Sequence, residues 1–492
     1  MEKSKNILRV GPYIVMFVLA IAVWAYCQNA LSYSFFYKEQ NQLFLMSADY
    51  LLTYFQRPAW VACLVGDFLT QLFYYMYAGA AIFATLILVL GATTYKAALG
   101  IVNSRTAALA VAVVAMGVET TFNFNPDFRI SSLLCVQGGV AAFLFYRLAV
   151  NGRATFRLLA MLVVGSLSAW MFNFGVLLYV ALVVFQEVSL VVRQKDNSIA
   201  EGKVGYVFIP LCATLLLAYY FASAAYPVDP ATCRSYPGVG KLGLPNQKVE
   251  QYLEVDNLYY FGRYDELVKT VEQMENPSEE VAFYYYLVMA RRGLLPYKLR
   301  SITPVNLGTL YEIGPKSTPM EIKMVNELYF ALGDMTLTER EALLSCVFSH
   351  DNRNVRMIKR LAEANLVAGD DEAAMKYLRI LDKTLVYSKW SKANRPGNIN
   401  ASLKDLQRYA IKDDAIRLNA NCRDVLTSLL KANPKNHIAL DYLLCTDYLV
   451  GAREMFVSDM ETYYIPHYGM PTEEMYRALY KGGEKGVRNL NK

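Results

Sequence analysis

Five carboxylates and one arginine stand in the polar segments between apolar stretches early in the chain: Glu39, Asp49, Asp67, Glu119, Asp127 and Arg129. A carboxylate beside a membrane surface can take a proton from an acceptor hydroxyl, or hold a divalent cation that neutralises a phosphate leaving group. Glu39, Asp127 and Glu119 are candidates for such a carboxylate, and Arg129 carries a planar fork of the kind that suits an oxyanion. Each has a plainer reading. Loop acids are most often solvated, and Lys38 beside Glu39 can be an interfacial charge pair of small energetic consequence.

These residues must be positioned by a membrane-embedded bundle. Seven apolar stretches fill the first 225 residues, roughly Ile7–Cys27, Phe73–Tyr95, Ala107–Phe122, Ile130–Leu148, Leu158–Phe172, Phe174–Val192 and Tyr206–Ala225. A helix needs about 20 apolar residues to cross about 30 Å of hydrocarbon. The fifth and sixth stretches must divide at Asn173-Phe174-Gly175, since one helix through both would be about 50 Å long at about 1.5 Å per residue. Seven crossings put the termini on opposite sides.

Charge gives the crossings a direction. Lys3, Lys5, Arg9, Lys96, Arg105, Arg147, Arg153, Arg157, Arg193, Lys195 and Lys203 fall on one side, and only Lys38, Arg57 and Arg129 on the other. Basic residues favour the cytoplasmic side, so the N-terminus is expected in the cytoplasm, with the acid-bearing loops and the C-terminal half outside. Merging the fifth and sixth stretches would export Arg193, Lys195 and Lys203, which makes six spans the weaker alternative. The first stretch ends in Ala25-Tyr26-Cys27-Gln28 without a small-x-small cleavage site and reads as a retained anchor. In the first outer loop, residues 41–56 read as an amphipathic helix at the membrane interface. Phe44, Ala48, Leu51, Leu52 and Phe55 share one face, Gln42, Asp49, Thr53 and Gln56 the other, and Pro58 ends it. Glu187, near the cytoplasmic end of the sixth stretch, reads as an interfacial anchor that reaches water. Gly138-Gly139 reads as a close helix contact.

After a Pro- and Gly-rich linker over residues 226–246, the pattern from about 247 to 492 is helical, with glycines between helix pairs. Over Val355–Leu381, Ala362 and Ala374 permit close approach of two helices and Gly369 supplies the left-handed turn between them. This segment resembles a tetratricopeptide unit, and looser copies centre on Gly262, Gly293, Gly333 and Gly451. Such pairs stack into a continuous core and leave a concave surface on which proteins dock. The expected fold is therefore all-α: a seven-helix transmembrane bundle over 1–225 followed by an extracytoplasmic αα-repeat domain over 247–492.

Lys38-Glu39-Gln40 with Gln42-Leu43-Phe44-Leu45 and Asp49-Tyr50, the block Arg360-Leu361-Ala362-Glu363-Ala364-Asn365-Leu366, Lys389-Trp390 and Asn433-Pro434-Lys435-Asn436 resemble an uncharacterised family of Bacteroidetes membrane proteins. That resemblance implies a Gram-negative inner membrane and a periplasmic tail, with no activity attached. The arrangement of an acid in the first outer loop beside an interfacial helix resembles the membrane glycosyltransferases of the GT-C class. There, a polyprenyl-phosphate-linked sugar is the donor and a divalent cation is a potential cofactor; the resemblance implies Glu39 as base or metal ligand, Asp127 or Glu119 as the second carboxylate and Arg129 as the grip on the phosphate. The usual paired acid of that class is absent, since Gln40 follows Glu39.

Two functions follow as expectations. One is an inner-membrane anchor whose periplasmic repeats bind a protein partner or assist envelope assembly; the other is a GT-C-like transferase whose repeats present the acceptor. Membrane lipid is a partner in both. The net charge of +6 sits mostly in the first 225 residues, where it follows topology, and no basic stripe suited to nucleic acid is present. Eight scattered cysteines include no C-x-x-C pair, and His350, His437 and His467 lack metal-ligand spacing. The tail cysteines read as buried thiols rather than disulfides. No Walker loop, dinucleotide fingerprint or nucleophile elbow occurs.

Overall fold

Twenty-residue apolar runs that satisfy their own backbone hydrogen bonds dictate the first half of the chain. The computed structural model describes residues 2–149, 154–193, 200–224, 226, 229–303, 305, 316–410, 421–471, 474, 476 and 477. Arg153 and Lys195 lie outside them. The chain divides into two compact units, Met1–Gln247 and Lys248–Lys492. Among the described residues both are helical and neither contains a strand.

The first unit comprises α1 (Glu2–Ala30), α2 (Ser32–Gln40), α3 (Ala48–Leu52), α4 (Trp60–Thr70), α5 (Ala78–Val102), α6 (Arg105–Phe122), α7 (Ile130–Leu148), α8 (Ala154–Phe172), α9 (Gly175–Arg193), α10 (Ala200–Ala224) and α11 (Pro230–Ser235). Each of the seven apolar stretches falls on a helix. Five segments, Val10–Ala30, Ala78–Val102, Arg105–Phe122, Ile130–Leu148 and Thr155–Phe172, are long and apolar enough to cross a membrane. Trp60–Tyr74, Gly175–Leu190 and Phe208–Tyr220 are shorter apolar helices. By length and composition the unit suits a bilayer, and side chains such as Ile14, Phe17, Val114, Phe145 and Leu216 point outward from it.

The break between α8 and α9 falls at Asn173, whose φ of 45° is left-handed, a conformation asparagine tolerates. Its Nδ2 donates to the carbonyls of Cys233 at 2.7 Å and Tyr236 at 2.8 Å. The hinge is fixed by this clamp and by close helix contact. A β-carbon added to Gly139 would lie 2.2 Å from the Gly175 carbonyl oxygen, and one on Gly175 would lie 2.1 Å from that of Cys135. Small residues thus let α7 and α9 touch through their backbones. Gly139→Ala should therefore lower the thermal midpoint of the detergent-solubilised protein more than Gly138→Ala. The added methyl of the latter meets only the Phe172 ring, which can move. Overpacking of this kind costs about 1–3 kcal/mol, and more against backbone.

Two local readings change. The first loop is helical only over Ala48–Leu52, continued by a 3-10 turn at Thr53–Gln56, and not from residue 41. The Tyr50 hydroxyl instead bonds the Leu43 carbonyl. Phe44, Tyr50 and Tyr54 face the core, while Leu52 and Phe55 are exposed. Glu187, expected to reach water, is buried. It accepts from the Tyr146 hydroxyl at 2.5 Å and pairs with Arg157 at 3.1 Å, which satisfies the charge inside the protein.

The second unit comprises α12 (Gln247–Tyr260), α13 (Tyr264–Glu272), α14 (Glu279–Arg291), α15 (Leu295–Lys298), α16 (Pro319–Leu332), α17 (Met335–Phe348), α18 (Val355–Ala368), α19 (Asp371–Leu381), α20 (Ser388–Ala393), α21 (Ala401–Gln407), α22 (Cys422–Ala432), α23 (His437–Leu449), α24 (Arg453–Asp459) and α25 (Ile465–Tyr468). Gly369 ends α18 with φ 82°, Asp370 caps α19 by accepting from the Ala373 N–H, and Ala362 and Ala374 are fully buried between the two helices. A capping box, Thr318 with Glu321, starts α16.

Every residue from Val281 to Ala290 and from Ile322 to Leu332 is buried, so beyond their first turns α14 and α16 form a closed core. The returning α23 packs on α14, α15 and α16. The tyrosine run is core: Tyr284 donates to Asp256 at 2.5 Å, and Tyr286 to the Ile302 carbonyl at 2.7 Å.

Candidate functional site

The end of the first unit at which α1 finishes, here the far end, gathers polar groups that water does not reach. Lys38, Glu39 and Gln40 of α2, Asp67 and Thr70 of α4, Gln71, Glu119 of α6, Asn123, and Ser131 and Ser132 of α7 are all buried. Burying so many polar groups is unfavourable unless each finds a partner, and a group left without one costs about 1–3 kcal/mol.

Helix α4 brings the first pair together. A β-carbon on Gly66 would lie 2.8 Å from both the Cα and the N of Ser131, so only glycine lets α4 lie against the start of α7. The next residue, Asp67, thereby reaches the residue before α7. Arg129 NH2 donates to Asp67 Oδ1 at 3.1 Å and Oδ2 at 3.5 Å. The Tyr54 hydroxyl donates to Oδ2 at 3.0 Å, and Gln42 Nε2 donates to the Asp67 carbonyl at 2.9 Å. Burial first, and then the Asp67 charge, push the Tyr54 phenol well above its usual range, so it keeps its proton and can donate it to Asp67. We expect Gly66→Ala to part α4 from α7 and loosen this pair. In hydrogen exchange on the full chain, the amides of residues 60–70 and 130–136 should lose protection together, and unchanged exchange would contradict the packing.

Helix α2 is tied to α6. Lys38 Nζ donates to Asn123 Oδ1 at 2.5 Å and contacts its carbonyl at 3.4 Å, and the ammonium lies 5.7 Å from the Phe35 and Phe128 ring centres. Asn123 closes α6 one turn beyond Glu119. Lys38 is therefore a buried tie between α2 and the end of α6. Glu119, 5 % exposed, has an Oε2 with no hydrogen-bond partner. So do Gln71 Nε2 and Ser132 Oγ, two further buried atoms of the far end.

Of the four residues singled out from the sequence, Glu39 and Glu119 are buried at this end, and Arg129 is largely so. Asp127 is exposed in the α6–α7 turn, where its backbone N–H donates to Asn125 Oδ1 at 2.9 Å. Asp67 stood among the loop carboxylates without a role of its own, and the sequence did not point to Tyr54 or Ser132. The one available signal was Asp67 itself, a single acid in the apolar run Trp60–Thr70.

The chain after α10 also belongs here. Its carbonyls at Cys233 and Tyr236 are held by Asn173, the Tyr236 ring lies 5.7 Å from the Arg129 guanidinium, and Gly240 rests on Phe122. The segment read as a linker is thus a strap across the far end.

The residues do not fit a metal centre. Among the described residues, no three His, Cys, Asp or Glu side chains converge to hold a cation. The groups with chemistry to offer at this end are the Glu119 carboxylate, which could exchange a proton, and the Arg129 guanidinium, which could meet an anion.

Comparison with known proteins gives a family. The chain belongs to DUF6057, a family of unknown function. The match covers residues 6–479, nearly the whole chain and both compact units. No curated protein and no solved structure matches the chain.

Proposed function

We propose that this DUF6057 protein is a GT-C-like glycosyltransferase of a bacterial inner membrane, drawing sugar from a polyprenyl-phosphate donor at the far end of its first unit. The observation that carries this reading is the buried carboxylate of Glu119. One of its oxygens has no partner, and it lies in the last turn of α6, across the α6–α7 turn from Arg129 at the start of α7. A passive anchor has no use for an unpartnered buried acid, whereas a general base must keep an oxygen open for the incoming proton. Glu119 would take the acceptor proton, Arg129 would hold the phosphate, and Glu39 and Lys38 would fix α2 above the site. The positive-inside balance supports a far end facing the periplasm, with seven crossings and the second unit, tetratricopeptide-like in its Ala-Gly-Ala pattern, outside. There it would present the acceptor.

A second reading is the anchor for a protein partner. In its favour, Leu343, Val347 and Phe348 stand exposed together on α17. Crosslinking and pull-down from intact envelopes, read beside the glycan profile of a deletion strain, separates the two. The transferase reading expects a missing sugar and no constant protein partner. A stoichiometric partner with unchanged glycans overturns it.

A further inference from the structure

We infer that the start of α7 is a phosphate-binding site, closed over by the strap. Helix α7 is 19 residues long, and no side chain caps its N-terminus, because Arg129 occupies the capping position without such a bond. The first turn of such a helix directs N–H groups and the positive end of its dipole outward, which suits an oxyanion. The second, independent feature is Ser132. Its side chain is 2 % exposed, and its hydroxyl has no hydrogen-bond partner. A serine in a helix ordinarily returns its hydroxyl to a carbonyl of the preceding turn. Here it does not, and the group across from it is the strap: a β-carbon on Gly238 would lie 4.0 Å from Ser132 Oγ. Gly238 carries no side chain, so the strap sets no bulk directly against the hydroxyl.

The ligand class follows from the donors. The Ser132 hydroxyl stands in the first turn of this helix, and Arg129 at its capping position brings a guanidinium that Asp67 holds at 3.1 Å. A tetrahedral phosphate offers several acceptor oxygens to such a set, and arginine is the cation whose geometry suits it. The phosphate can belong to a polyprenyl carrier or be free in solution. The site deepens the transferase reading and rests on it only for the identity of the molecule that carries the phosphate.

The test uses the full chain in maltoside micelles, with inorganic phosphate, a long-chain polyprenyl phosphate and the uncharged polyprenol as probes. Binding is followed by 31P line broadening for the phosphates and by thermal stabilisation for all three. Polyprenyl phosphate should bind and polyprenol should not. Ser132→Ala should weaken binding roughly tenfold, the size expected for one lost hydrogen bond to a charged group. The same change removes a hydroxyl with no partner, so folding is retained. Gly238→Val, which sets bulk against the hydroxyl, should weaken binding as well. Competition by inorganic phosphate supports recognition of the phosphate group itself, and binding of the lipid alone supports a lipid-borne source. Absence of binding by both phosphates, or equal affinity in wild type and Ser132→Ala, overturns the site. Serine-dependent binding together with an unchanged glycan profile in a deletion strain would leave the site standing and remove the transferase reading.

Discussion

In the Asp256→Ala variant, the second unit is expected to lose about 3–5 kcal/mol of stability, the range for stripping one partner from a buried charge network. Asp256 is 2 % exposed and receives Arg356 at 2.8 Å, Lys323 at 2.9 Å and the Tyr284 hydroxyl at 2.5 Å. Arg356 also bonds Glu327 at 2.8 Å, and Glu327 in turn receives Arg360 at 2.5 Å. Without Asp256, two cations remain in the core with Glu327 as the nearest counter-charge. Hydrogen exchange at the amides of α12, α16 and α18 in the full chain would report the loss.

The network also sets a pH profile. Burial alone would raise the Asp256 carboxyl, but Arg356 and Lys323 outweigh it and hold it below its usual range. Against the same burial, Arg360 and Arg356 pull Glu327 down. A carboxylate depressed in the folded state contributes stability above its unfolded pKa, about 4, and loses it as pH falls through the folded value. Burial depresses Lys323 to about 8, with Asp256 opposing. The unfolded chain then binds that proton more tightly, so stability rises as pH climbs from about 8 toward about 10.4. Protection of α12, α16 and α18 should therefore fall in acid and strengthen on the alkaline side. Asp256→Ala should flatten the acid limb.

The second large effect concerns function. Glu119→Gln keeps the shape of the side chain and removes its basicity, so turnover should fall by about 10²- to 10⁴-fold, the usual share of a positioned acid or base. Glu39→Gln should also lower turnover, by disturbing α2 beside the Lys38–Asn123 tie. Asp127→Asn should leave it near wild type, because that side chain is exposed in a turn. Equal loss from Asp127→Asn and Glu119→Gln would contradict the burial argument. Insertion and thermal midpoint must be matched in all three variants, so that a folding defect is not read as lost chemistry.

Much of this was legible in the sequence. Apolar runs of helical length announce themselves, and the break at Asn173 followed from length alone, because one helix through both stretches is too long for a bilayer. The turn at Gly369 followed from residue type. The rest depended on contacts that no local pattern carries. Asp67 and Arg129 are 62 residues apart, Lys38 and Asn123 85, and Asp256 and Arg356 100. Read singly, each is a polar residue destined for water. Asp256, Lys323 and Arg356 look like solvated helix faces until a neighbour of opposite charge closes over them. The closed core around α14 and α16 has the same origin, since repeat periodicity describes how a helix pair stacks and is silent about helices that return across it. The strap gave a signal of composition only: proline and glycine exclude a helix, but they do not say that Tyr236 lies over Arg129.

The measurement that bears most directly on the central claim is the pool of polyprenyl-linked sugars in a deletion strain, quantified by mass spectrometry and repeated with wild-type and Glu119→Gln complementation at matched membrane levels. The account predicts that one lipid-linked sugar accumulates in the deletion, returns to its normal level with the wild-type chain and stays high with Glu119→Gln. An unchanged pool in the deletion, or full restoration by Glu119→Gln, would contradict it.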